Sequence, residues 1–290
     1  MINSVKPNLI VSDSRGAWFR ATILFILALI GTVGMWSVVV FIPDIEKEFG
    51  LDRGTSSLLY AFTMIGFGFG TVIIGKFYDK FGIKKPILLA TFVLITSYYF
   101  YSIFPFYWQF LILQFFMGFA ASAFFGPAMA DISNFFNKQR GFALSIVASA
   151  NYVAGATWPL LIGYFLTFID WRAAHFWISI CLFIMIPLIL LLKNASVDES
   201  KSHDMKQRYK DIRLDLSNNQ IQVLLMLAGI CCCVAMAMPQ VHMVALCVDN
   251  GFGLQVGTEI LAVMLYSGMI SRIVFGMISD RIGPVLTLLL

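Results

Sequence analysis

The sequence predicts an all-α membrane protein: a six-helix N-terminal bundle followed by the first two to three helices of a second bundle. Three observations predict this. The first is composition: of 290 residues, 59% are hydrophobic and only 12% charged, with 28 Phe and 14 Met. Soluble domains carry about 25% charged residues, and this much apolar surface does not fit one water-facing core. The second is the length of the apolar runs, each near the ~20 residues that a helix needs to cross ~30 Å of hydrocarbon. The third is an internal repeat offset by 201 residues.

The runs fall at 21–43, 57–77, 86–105, 108–130, 142–168, 173–192, 220–247 and 258–279, and a ninth begins at Val285. They are too long and too unalternating for barrel strands, and unpaired backbone is not tolerated in lipid, so helices are expected. Helix 1 is longer than a signal-peptide core and no small-residue cleavage site follows it, so it reads as a retained span. Placing the N-terminus in the cytoplasm puts sixteen of the twenty Lys and Arg in cytoplasmic segments and three (Lys47, Arg53, Arg172) outside. That positive-inside bias sets the orientation and supports the span count. The net charge of +4 is therefore a matter of topology, not a nucleic-acid footprint. The five cysteines, Cys181, Cys231, Cys232, Cys233 and Cys247, lie in apolar runs and have neither disulfide-framework nor zinc spacing.

Residues 1–192 form the expected N-terminal bundle. The polar stretch 193–219 reads as a cytoplasmic linker with a short surface helix in its middle. Residues 220–290 form a partial second bundle: helices 7, 8 and the start of 9. The repeat is clearest at GKFYDKFGIKKP, 75–86, and its shorter echo GMISDRIGP, 276–284. Gly75, Asp79, Lys80 and Gly82 correspond to Gly276, Asp280, Arg281 and Gly283. Two halves of like topology joined by a linker form the parallel-repeat plan of a secondary transporter.

These stretches resemble the major facilitator superfamily. Its signature between helices 2 and 3 is matched by Gly75, Asp79, Lys80, Gly82, Lys84 and Lys85. QRGFALSIVASANY and GYFLTFIDWRAAHFW also resemble the superfamily around helix 5. The resemblance implies a major facilitator fold, of which the chain covers about two thirds. Continuation of the reading frame beyond Leu290 is expected for a complete molecule. PQVHMVALCVDNGF and SGMISRIVFGMISDRIG look like the monocarboxylate-porter and oxalate–formate-antiporter branch. That branch carries a late helix 7 histidine, here His242, and a helix 8 arginine that binds substrate carboxylate, here Arg272. It also implies a cytoplasmic latch built from the signature loop with Asp131, Lys138 and Arg140.

Arg272 is also the strongest candidate from the residues alone. A charge deep in a span costs about 2.5–3.5 kcal/mol, and no acidic residue sits near it on its own helix. Its fork suits a carboxylate. An ion pair with an acid elsewhere, or snorkelling to the membrane edge, is the competing reading. Gln240 and His242 follow Pro239 in helix 7 and offer polar contacts. Trp36, with Thr32 and Ser37, is a candidate cavity wall in helix 1. Asn151 is the clearest neutral polar residue at depth in helix 5, suited to a substrate contact or an interhelical hydrogen bond. Recurring small residues, Gly66, Gly68, Gly70, Gly118 and Gly126 among them, suit close helix packing.

The branch's usual helix 1 lysine and helix 8 aspartate correspond here to Trp36 and Gly268, so the resemblance does not imply proton coupling through those groups. The helix 4 arginine usual in proton-coupled drug exporters corresponds to Gln114. There is no phosphate-binding loop, metal-spaced ligand set or nucleophile elbow. GFGFG in helix 2 follows no strand and is no dinucleotide fingerprint. The chain thus reads as no enzyme and as needing no cofactor, metal, nucleic acid or obligate protein partner. The expected function is secondary transport of small organic anions, carboxylates first, as antiporter or symporter with room for a co-transported ion. The expected setting is a lipid bilayer, a bacterial plasma membrane. A transporter-like solute receptor and a non-functional fragment are the alternative readings.

Overall fold

A computed structural model describes residues 12–192, 217–283 and 286–287. The expected linker helix lies outside the described residues, as does most of the start of helix 9.

The helices are α1 Arg15–Gly31, α2 Val33–Phe49, α3 Arg53–Phe81, α4 Lys84–Ile103, α5 Tyr107–Ala121, α6 Gly126–Ser133, α7 Arg140–Phe165, α8 Trp171–Cys181, α9 Met185–Leu191, α10 Asn218–Asp249 and α11 Gly253–Ile282. Together they supply eight segments long and apolar enough to cross a membrane. The first is α1 with α2, the fourth α5 with α6, and the sixth α8 with α9; the other five are single helices. All eight expected spans are present. All begin before the apolar windows, by one to six residues, because caps lie in the polar flanks, and three end short of them. Ser14 starts α1, accepting from the Ala17 N–H. The Asp52 carboxylate accepts from the Gly54 and Thr55 N–H groups and starts α3. Asp170 accepts from Ala173 to start α8. Ser217 and Gln220 form a reciprocal capping box at α10.

The repeat has a physical counterpart at two helix ends. Gly82 and Gly283 both stop their helices with positive φ, at 71° and 87°, a region that glycine enters without a Cβ penalty. Each donates its N–H back into the last turn, to Tyr78 and Ser279. The first span, by contrast, breaks midway. Gly31 faces the Phe124 ring so closely that a Cβ would lie 2.5 Å from it, and the Thr32 hydroxyl donates to Ala28 O at 2.7 Å.

The core lies inside the first six spans, with α2 almost wholly buried. Many large side chains face outward, including Phe92, Phe168 and Leu190. In hydrocarbon such exposure has no hydrophobic cost. α11 packs along α7, and α10 packs on α11 and α2.

Candidate functional site

Arg272 lies on α11, ten residues before its end at Ile282, or about 15 Å of helix rise. It does not snorkel. Its Nη1 donates to Ala148 O on α7 at 3.1 Å, and its guanidinium carbon sits 4.3 Å from the centre of the Tyr152 ring. Gly268 makes room for that ring, since a Cβ there would meet Tyr152 Cε1 at 3.2 Å. Among the described residues no carboxylate pairs with Arg272.

The guanidinium opens into a cavity of about 270 Å³ between α2, α3, α7, α10 and α11. Trp36, Asn151 and Gln240 line the same cavity, so four of the five expected substrate-site residues converge. Trp36 is 3% exposed, and its Nε1 donates to Asn151 Oδ1 at 3.0 Å. Gly155 permits this, because a Cβ at that position would lie 2.5 Å from the indole. His242, the fifth, is exposed on α10 and is not part of the cavity lining. Two residues along a helix is a turn of about 200°, so a helix that points Gln240 inward turns His242 away.

The sequence reading missed most of the wall. Thr32, Met35 and Trp36 follow i, i+3, i+4 spacing; Tyr60, Met64 and Phe67 follow i, i+4, i+7; and Cys233, Met236, Ala237 and Gln240 follow i, i+3, i+4, i+7. Extending each helical face from Trp36 and Gln240 would have found the first and third sets. Nothing local marks the α3 face, or Phe125, which enters from the link between α5 and α6. A second hollow, about 510 Å³ between α7 and α8 at Trp158 and Trp177, has only apolar and aromatic lining residues. Trp158 spends its N–H on Leu29 O, and this hollow has no charged lining residue to pair with an anion.

The expected charge cluster divides into parts. The Asp280 carboxylate accepts from the Gly141 and Phe142 N–H groups at 2.6 and 2.8 Å. It therefore caps the helix that Arg140 begins, where the helix dipole favours an anion. Gly276 lets α11 come this close, since a Cβ would lie 2.9 Å from Gly141 O. Arg281 follows, exposed, in the last turn of α11. Asp131 does not join Asp79 and Lys80. It is buried in a bidentate pair with Arg20, at 2.6 and 2.9 Å. In the first copy Asp79 is exposed, Gly75 has open space where a Cβ would point, Lys84 opens α4, and Lys80 and Lys85 lie over the Phe81 ring.

At the opposite end of the bundle, Arg53 pairs with Glu46 at 3.2 Å and with Asp249 at 2.7 Å. Glu48 accepts from Trp171 Nε1 and Arg172 at 2.8 and 2.6 Å. Outside the spans, the Asp52 carboxyl is held below the usual carboxylate range by hydrogen bonds from Thr55, first its side chain and then its backbone N–H. Gln114, the position weighed against drug export, is fully buried away from the cavity and accepts from Thr63 at 2.9 Å.

Eight segments among the described residues long and apolar enough to cross a membrane, like helix ends at Gly82 and Gly283 and a cavity among five helices define a multi-pass α-helical membrane protein. The chain belongs to the Major Facilitator Superfamily, whose sequence model matches residues 24–290, and it adopts part of the major facilitator fold. It is 26% identical over 221 residues to the MFS-type transporter pynF of Aspergillus niger, covering 74% of this chain and 49% of that protein. It is 24% identical over 252 residues to the agnestins efflux protein AgnL12 of Paecilomyces divaricatus, covering 84% and 56%. The inner membrane transport protein YnfM of Escherichia coli is 23% identical over 172 residues, covering 58% and 41%. The chain thus spans about half the length of these curated relatives, which come from fungi and bacteria and point to no one organism's membrane.

Proposed function

We propose that the protein is a secondary transporter of small organic anions, carboxylates first, working by alternating access between residues 1–192 and the bundle begun by residues 220–290. In this reading 193–219 is the cytoplasmic linker and the N-terminus is cytoplasmic, as the Lys and Arg distribution supports. The single observation that carries the anion is Arg272. It lines the cavity, and among the described residues its polar contacts are one backbone carbonyl and one ring. A half-buried cation within a span and without an acid is costly, and a bound carboxylate relieves that cost. Trp36, Asn151 and Gln240 complete the proposed substrate contacts, with His242 outside the cavity wall. The two signature copies serve as gate elements: Gly75, Asp79, Lys80, Gly82, Lys84 and Lys85 in one, Gly276, Asp280, Arg281 and Gly283 in the other.

The test is uptake of labelled monocarboxylates by the full-length protein in liposomes. Arg272→Gln removes charge-assisted hydrogen bonds worth about 1.5–3 kcal/mol, so apparent affinity should fall roughly ten- to hundredfold. Arg272→Lys, which keeps charge but not the fork, should fall between the two. Equal uptake by Arg272→Gln and the unaltered protein would overturn the assignment.

A further inference from the structure

We infer that the anion's body is aromatic, so that the cavity takes an arylcarboxylate-like monoanion and not a short hydroxy acid, a dicarboxylate or a sugar acid. This rests on the anion reading above and narrows it.

The guanidinium sets the first constraint. Nη1 is held by Ala148 O and one face is covered by Tyr152. The Nε–Nη2 edge is left without a protein partner among the described residues. That edge is the side-on, bidentate position for a planar carboxylate. Arg272 is also the one charged residue in the described lining. A second carboxylate would enter a site with no second cation, and burying an unpaired charge is strongly unfavourable.

The walls set the second constraint. Five rings line the space: Trp36, Tyr60, Phe67, Phe125 and Tyr152. Phe67 and Phe125 face each other in a tilted pair with centroids 6.3 Å apart. Three methionines add soft, polarisable thioethers that favour aromatic neighbours. The neutral polar groups are few, and several are already engaged. The Thr32 hydroxyl donates to Ala28 O, Asn151 Oδ1 accepts from Trp36, and the Tyr152 hydroxyl donates to Met236 Sδ. The Gln240 and Asn151 amides and the Tyr60 hydroxyl remain, enough for one ring substituent. A chain of vicinal hydroxyls would bury donors and acceptors without partners. A two- or three-carbon acid would occupy the Arg272 edge and leave most of the 270 Å³ and its rings untouched. That volume is just below the ~300–1,000 Å³ usual for sites enclosing drug-sized ligands, which suits a single-ring acid.

Two measurements on the full-length protein test this. Uptake into liposomes is measured for labelled benzoate, lactate and oxalate, with benzamide as the uncharged competitor. Alkylation of Cys233, which lines the cavity, is measured in a variant whose other cysteines are serine, with the same compounds as protectants. Benzoate is expected to half-saturate uptake, and half-protect Cys233, at a concentration at least tenfold below lactate and oxalate. Phe125→Leu, apolar but ringless, is expected to raise the benzoate value severalfold and to raise the lactate value by a smaller factor. A thermal unfolding midpoint in detergent close to that of the unaltered protein reports that this variant still folds.

The outcomes separate the two readings. Lactate or oxalate acting as well as benzoate, with the effect lost in Arg272→Gln, overturns the aromatic body and leaves the anion site standing. Benzamide protecting as well as benzoate overturns the anion site. Neither uptake nor protection by any of the acids overturns both.

Discussion

Arg20 and Arg272 are both cations among apolar helices, and their surroundings give them different work. Arg20 makes a two-point pair with Asp131, side-chain exposures being 5% and 8%, and it also lies 4.8 Å over the Phe135 ring. That fork joins α1 to α6. Arg272 makes no such pair and is turned to a cavity, as a ligand-binding cation would be. The difference predicts opposite mutational behaviour. Arg20→Met leaves the Asp131 carboxylate buried without its fork and should cost about 3–5 kcal/mol of stability. Arg20→Met with Asp131→Leu should recover most of that loss, since an apolar pair of similar volume replaces a buried ion pair at little cost. Thermal unfolding in detergent reads both, and no recovery in the double variant would contradict the account. Arg272→Gln should leave the unfolding midpoint nearly unchanged while altering anion binding. Sequence reading singled out Arg272 because an intramembrane charge is visible in a hydropathy trace. It could not pair Asp131 with Arg20, 111 residues away, because no local pattern encodes that meeting. The family resemblance groups Asp131 instead with Lys138, Arg140 and the signature-loop charges Asp79 and Lys80.

The helices show which sequence patterns are physically decisive. Span number and limits were legible because apolar length is a direct physical requirement of the bilayer. Which face of each helix turned inward was legible only in part. Gly66, Gly68 and Gly70 look equivalent in sequence, yet they are not. Cβ atoms at Gly66 and Gly70 would lie 1.9 and 2.5 Å from the backbone oxygens of Phe115 and Phe119, whereas Gly68 faces open space. Gly118 is the reciprocal contact, 1.8 Å from Thr63 O. These positions let α3 and α5 touch backbone to backbone. Gly66→Ala and Gly118→Ala should therefore each lose about 1–3 kcal/mol through overpacking. Gly68→Ala should be neutral or gain about 0.5–1 kcal/mol, because glycine within a helix is itself unfavourable. Equal gains at Gly66 and Gly68 would show that helix propensity, not contact, governs this helix. The start of α3 adds a pH-dependent element. The Asp52 carboxyl is held below its ordinary value, so its capping contribution is present above the unfolded carboxylate's value, about 3.9, and is lost as pH falls through the folded value. The stability difference between Asp52→Ala and the unaltered chain should shrink below about pH 4, as read by denaturation at several pH values.

Across the described residues, α10 and α11 are tied to the earlier spans at both ends of the bundle and between them. At one end Asp280 caps α7; at the other, Arg53 reaches Asp249 at the end of α10. Between them, Arg272 holds Ala148 O and Thr157 meets Tyr266 at 3.1 Å. In the proposed alternating mechanism, the cavity beside the α7–α11 crossing would empty to either side only if one tie yields while the other holds. The ties are unequal. Arg53–Asp249 is a solvent-exposed ion pair, with side-chain exposures of 34% and 56%; such pairs are worth about 0.2–1 kcal/mol. Asp280 accepts two backbone hydrogen bonds at a helix N-terminus, each charge-assisted, worth about 1.5 kcal/mol even at the low end. Loss of the first should shift the balance between open and closed at the Arg53 end by about fivefold at most. Loss of the second should shift the balance at the Asp280 end by about tenfold or more. Spin-label pairs across each end of the full-length protein in lipid can measure both populations. Arg53→Gln should lengthen distances only at its own end and modestly. Asp280→Asn, which keeps the shape but not the charge, should lengthen distances only at the other end and by the larger population. Added benzoate, bridging Arg272 to the ring-lined wall, should draw both variants back toward the closed distances. Lengthening at both ends from either single substitution would mean that the halves separate as a loose pair, and the alternating mechanism would fail with it.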